Sequence, residues 1–151
     1  MTTPVIKANA YPYNYVTNKQ AQTLASTEFA TGGYTTSLMF GVQWDLVLKY
    51  LETKGTSQSA LNSDSTEWGN YYNNTYNITN ESAKYYSSSW KSAPYNKTAS
   101  GNILLTTGAS SEFSKQNISD LAGNVYEYTL EYSRVTLKRV RFAWWSLQYR
   151  R

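Results

Sequence analysis

Apolar positions keep a helical rhythm near the start of the chain, lose it in the middle and take up a two-residue alternation near residue 125. Thr17-Asn18-Lys19-Gln20 reads as a capping box, with Thr17 as N-cap and Gln20 reaching back to its backbone. Ala21, Leu24, Ala25 and Glu28-Phe29 follow at helical spacing, and Gly32-Gly33 is expected to stop the run. A second helix is predicted from near Val42, where Trp44, Val47, Leu48 and Leu51 recur on one face until Lys54-Gly55 closes it. Between the two, Ser37-Leu38-Met39-Phe40 is a short apolar run. From Thr56 to Gly101 no period is sustained. Trp68, Tyr71, Tyr72, Tyr76, Tyr85, Tyr86, Trp90 and Tyr95 are scattered among Ser, Asn, Thr and Gly. That density of rings argues against disorder and for a long loop region pinned by buried aromatics. Ile103-Leu104-Leu105 is expected to be a short strand. Val125 to Tyr132 places Tyr126, Tyr128, Leu130 and Tyr132 on one face of another.

Composition narrows the chemistry. The 151 residues suffice for one domain with one core, and they include 15 Tyr and 5 Trp but no Cys and no His. Without cysteine there is no disulfide framework, thiolate metal site or cysteine nucleophile. Without histidine the commonest general base and zinc ligand are gone. The opening Met1-Thr2-Thr3-Pro4-Val5-Ile6-Lys7 does not have the form of a secretory signal, and no stretch approaches the roughly 20 apolar residues of a membrane helix. No membrane partner is expected, and cellular location stays open. Asn-x-Ser/Thr triplets at Asn73, Asn77, Asn80, Asn96 and Asn117 are read as compositional accidents. Exposed aromatics with Asn and Ser suit a glycan or protein ligand. Rings at this density are more often core.

The net charge of +4 is concentrated at one end. Arg134, Arg139, Arg141, Arg150 and Arg151 are all the arginines, and every acidic residue precedes them. Residues 134–151 are therefore set apart from 1–133 as a basic tail. Three readings stand for it. It is a solvated terminus, an arm that binds nucleic acid through Arg and Trp144-Trp145, or a frameshifted end. The last is favoured, and nucleic acid is the least favoured partner. A one-base shift turns the Trp pair into Gly-Gly and permits Leu-Arg-Gly-Gly-Val-Tyr-Asn-Thr-Gly across this region.

Four segments in order resemble the formylglycine-generating-enzyme, or sulfatase-modifying-factor, family. They are Tyr11-Pro12-Tyr13-Asn14-Tyr15-Val16-Thr17, the Ser37–Leu51 stretch, Trp68-Gly69-Asn70, and Asn117 to Thr129 with Leu121-Ala122-Gly123-Asn124-Val125-Tyr126-Glu127-Tyr128 at its centre. The last is the specific one, with Tyr where the family carries Trp. The Arg-Gly-Gly string hidden in the tail is similar to what that family carries shortly afterwards. The resemblance implies an α+β fold of C-type-lectin type, with two short helices, short antiparallel strands and long loops. It implies a domain truncated at both ends, poorly stable alone, from a bacterial or phage source.

The family's enzymes use copper held by two cysteines; with none here, no copper and no enzyme activity are expected. The resemblance implies calcium at Asp120, Gly123, Val125 and Glu127, a set of carboxylates and carbonyls whose hard oxygens suit that ion. The alternative is that Asp120 caps a turn and Glu127 faces solvent. A second family site is expected at Asn77 and Ile78. The functional expectation is a non-catalytic module that binds a ligand or is structural. The alternatives are a family protein whose activity resides only in full-length relatives, and a nucleic-acid binder.

Overall fold

The computed structural model describes residues 4–28, 30–62, 68–98 and 103–131. It is a small mixed α+β protein with three α-helices and short antiparallel sheets among the described residues. The chain divides into two compact units. Tyr13–Lys49 belongs to the first, together with the described parts of 1–6 and 126–151. Lys7–Pro12 and Tyr50–Val125 form the second.

In the first unit α1 spans Asn18–Thr27 and opens with the predicted capping box. Thr17 Oγ1 accepts the Gln20 N–H at 3.3 Å, and Gln20 Oε1 accepts the Thr17 N–H at 2.8 Å. The helix ends at Thr27 with Glu28 as its C-cap, short of the expected glycine stop. A 3-10 turn at Ala30–Gly32 fills the gap before Gly33 takes up a φ of +73°. The second helix, α2, spans Gly41–Thr53; its residues 41–49, with the buried Trp44, belong to this unit and its last four to the second.

Residues 125–131 form no ladder strand, which corrects the expectation for that segment. Leu130 makes an isolated parallel bridge to Phe40, and its N–H donates to the Met39 carbonyl at 2.9 Å. Tyr128 donates its hydroxyl to the Val16 carbonyl at 3.0 Å, whereas Tyr126 is exposed. The alternation in sequence is thus met by single bridges rather than by a sheet, and the two tyrosines do not share one environment. Tyr132 lies outside the described residues.

The second unit holds the strands. The third helix, α3, spans Gln58–Asn62. Strand β1 (Tyr76–Ile78) pairs antiparallel with β4 (Tyr95–Lys97). A three-stranded sheet has the order β3 (Trp90–Ser92), β2 (Lys84–Tyr86), β5 (Leu104–Leu105). A last hairpin joins β6 (Ser114–Lys115) to β7 (Ile118–Ser119). The stretch expected to be irregular therefore contains α3 and β1–β4. Each of those strands has three residues, too few for a period of two to be visible. The expected strand at 103–105 is present as β5.

Two apolar clusters hold this unit together. Tyr76, Ile78, Ala83, Leu105, Ala109 and Phe113 form one, with Tyr85 and Tyr95 packed against it. Leu51, Trp68, Tyr71 and Ala122 form the other. Of the eight rings expected to pin the region, Trp68, Tyr71 and Tyr76 are buried, while Tyr72 and Tyr86 are exposed. The core reading holds for the first group and not for the second.

Candidate functional site

Two of the segments singled out in the sequence meet within the second unit. Asn70 and Gly123 form an isolated parallel bridge. The Asn124 N–H donates to the Asn70 carbonyl at 2.9 Å, and the Asn70 N–H donates to the Ala122 carbonyl at 3.4 Å. Both glycines sit in the left-handed region, Gly69 at φ +95° and Gly123 at φ +71°. A Cβ on Gly123 would lie 2.6 Å from the Asn70 oxygen, and one on Gly69 would lie 2.6 Å from the Ala122 oxygen. Glycine is needed here both for the turn and for the close approach of two backbones.

The side-chain amides complete this clasp. Asn70 Nδ2 donates to Asn124 Oδ1 at 2.9 Å and to the Ile103 carbonyl at 2.8 Å. Asn124 Oδ1 also accepts the Leu105 N–H at 2.9 Å, and Asn124 Nδ2 returns a bond to the Leu105 carbonyl at 3.1 Å. Asn124 thus serves the free edge of β5 as a short strand would. Asn70 Oδ1 accepts the Tyr76 hydroxyl, whose burial pushes its pKa above the usual phenol range, with a smaller push from Tyr95. Both amides are spent on structure.

Beside the clasp Lys97 is 3% exposed. Its Nζ donates to the carbonyls of Tyr71 (2.9 Å), Tyr72 (3.0 Å) and Asn74 (2.6 Å). Burial holds its pKa below the usual lysine value. A cation at the centre of three carbonyl dipoles fixes the 71–74 turn, and so the place from which Tyr72 projects.

Over the amides lies a cleft of about 310 Å³. Asn70 and Asn124 line it, with Ile103 and Leu104 from the β5 side. Tyr72 and Tyr86, 56% and 40% exposed, line it as well, and Ser87 follows Tyr86 in the β2–β3 loop. None of the described lining residues is charged. Aromatic faces together with hydroxyl groups on a polar frame suit an uncharged ligand that is apolar on its faces and hydrogen-bonding at its edges.

The positions expected to hold calcium are placed as follows. Asp120, Gly123 and Val125 lie in the second unit and Glu127 in the first. Asp120 has φ +57°, and its Oδ2 accepts the Gly108 N–H at 2.7 Å. Burial raises its carboxyl pKa, and the Gly108 bond offsets part of the rise. The Gly123 carbonyl accepts the Val125 N–H at 2.9 Å. A carboxylate and a carbonyl each keep acceptor capacity after one such bond, so Asp120 and Gly123 fit a hard cation in kind. Among the described residues no three Asp, Glu, His or Cys side chains gather to hold a metal.

Of the second expected site, Ile78 is buried in the core and Asn77 is exposed on β1. Sequence reasoning missed Lys97 and the aromatic pair at the cleft; the run of rings marked the region but not which rings stay exposed. The basic tail, 134–151, lies outside the described residues, as do the readings attached to it. No described helix is long and apolar enough to cross a membrane. No family model matches the chain, and no curated protein or solved structure matches it either.

Proposed function

We propose that this chain is a non-catalytic ligand-binding module of the formylglycine-generating-enzyme-like, lectin-type class, and that its ligand is an uncharged saccharide held in the cleft between Tyr72 and Tyr86. One observation carries the reading: two exposed tyrosines line a cleft with no charged residue among its described lining, and its amide frame is fixed by internal hydrogen bonds. The C–H faces of a sugar ring are apolar and complement the negative face of an aromatic ring, while its hydroxyls match phenol and serine oxygens. A frame already held in place costs little ordering on binding.

The family part of the reading is supported by the meeting of Trp68-Gly69-Asn70 with Gly123-Asn124, the two resembling segments with the clearest motifs. The absence of cysteine and histidine from the whole sequence supports the non-catalytic part. Immobilised homo-oligomers of glucose, galactose, mannose and N-acetylglucosamine test the proposal. Wild-type protein is expected to bind at least one series, and Tyr72→Ala and Tyr86→Ala are each expected to weaken it about tenfold, the equivalent of about 1.4 kcal/mol. Absence of binding to every series, or full binding by both variants, would overturn it.

A further inference from the structure

We infer that the bound saccharide is a chain and that Trp90 and Tyr11 receive the units beyond the one held at the Tyr72–Tyr86 cleft. The inference rests on the saccharide reading and extends it. Its basis is the register of the outer sheet face. Tyr86 on β2 lies directly opposite Trp90 on β3, so period-two alternation puts both rings on one face. Leu104, opposite Tyr86 on β5, shares that face and lines the cleft. On the other face Tyr85 and Leu105 pack on the core, while Lys91, opposite Tyr85, is exposed.

The aromatic surface does not stop at the cleft. The Tyr86 and Trp90 ring centroids are 5.4 Å apart with planes tilted by 54°. Tyr11 follows at 4.1 Å from Trp90, tilted by 33°. Tyr11 is held there by its own backbone neighbours. The Asn9 N–H donates to the Thr107 carbonyl at 2.7 Å, and the Thr107 N–H donates to the Ala10 carbonyl at 2.9 Å. Tyr11 nonetheless remains 52% exposed. Large rings gathered at a surface forgo burial that would stabilise the fold, which marks a place where something else covers them. Lys84, two residues from Tyr86 and opposite Ser92, shares this face and is exposed, so the row offers a hydrogen-bond donor beside its rings; the chain lies with one end in the cleft and the rest along the row.

The test uses the whole chain and the responding sugar series, titrated by calorimetry from monomer to hexamer. Wild type is expected to bind the trimer about tenfold more tightly than the monomer. Trp90→Ala and Tyr11→Ala are each expected to lose most of that gain while leaving monomer affinity unchanged. Tyr11→Ala, at the more exposed position, serves if Trp90→Ala fails to fold. Equal affinity for monomer and trimer overturns the inference but leaves the cleft reading intact. So does an equal loss for both lengths in the variants, which would make the row a support for Tyr86. A proline-rich peptide displacing the sugar from the row with no length dependence also overturns it. Failure of every sugar overturns the underlying reading instead.

Discussion

Asn70 and Asn124 hold each other twice, the Asn124 N–H on the Asn70 carbonyl at 2.9 Å and the Asn70 amide on the Asn124 Oδ1 at 2.9 Å. Residues 54 apart in sequence are thereby joined by main chain and side chain together. Asn124 carries the bond on to β5 through Leu105, and Asn70 carries it to Tyr76 and the core. The clasp therefore ties the cleft to the apolar cluster beneath it. Amides suit this work because each offers two donors and an acceptor in one plane.

The glycines beside those asparagines are expected to be intolerant of a methyl group. Gly123→Ala places Cβ 2.6 Å from the Asn70 oxygen at φ +71°. Left-handed strain and overpacking together predict a loss of about 2–4 kcal/mol. Gly55→Ala is the control, since φ is +96° there but nothing lies within 4 Å. It is expected to lose only about 1–2 kcal/mol. Urea unfolding of both variants separates backbone strain from steric conflict, and equal losses would mean that the two turns are not in close contact.

Lys97→Met is expected to destabilise by about 2–3 kcal/mol, because three carbonyls lose a charged donor. The same variant should weaken saccharide binding, since the Lys97 bonds to the carbonyls of Tyr71 and Tyr72 hold the turn that presents the Tyr72 ring. Denaturant melts give the first effect and calorimetry the second. A variant as stable as wild type would show that water satisfies the 71–74 turn equally well.

How much of this was legible in the sequence depended on how local each signal was. The capping box at Thr17 and Gln20 is written in four adjacent residues, and it forms as read. The close of α2 at Lys54-Gly55 was legible for the same reason. Strands β1–β4 were not, because three residues carry no measurable period and their partners are set by tertiary packing. Trp68-Gly69-Asn70 and Gly123-Asn124 each stand out in the sequence, but nothing in either says that it binds the other. Lys97, in an Asn-Lys-Thr run, has the local look of a solvated lysine; only the fold reveals three carbonyls around it. The alternation of Tyr126, Tyr128 and Leu130 was legible as extended chain, yet pairing depends on a partner that alternation does not name.

Asp120 should make the fold more stable, not less, under mild acid. Its folded pKa is raised by burial, with the Gly108 bond opposing, above the ordinary value of 3.8. As pH falls through the raised value, the folded chain takes up a proton that the unfolded chain accepts only near 3.8, so folding is favoured progressively across that window. Asp120→Asn keeps an acceptor for the Gly108 N–H, tolerates the positive φ and carries no charge to desolvate. Its melting temperature is expected to exceed that of wild type at pH 7, with the gap closing towards pH 4. A gap independent of pH would show that Asp120 pays no burial cost when ionised.

Asp120→Asn also tests calcium. An ion that takes the Asp120 carboxylate as one of its ligands would stabilise the folded chain in proportion to the logarithm of its concentration above Kd. Wild type with calcium at about 100 times Kd is then expected to gain about 2.7 kcal/mol, seen as a higher melting temperature. Asp120→Asn should abolish the calcium response while retaining its advantage in calcium-free buffer at pH 7. The two effects have opposite signs, so the variant separates a carboxylate that serves a metal from one that only caps the Gly108 turn. A wild-type melting temperature unmoved by calcium, with magnesium as the reference ion, assigns Asp120 to the turn alone.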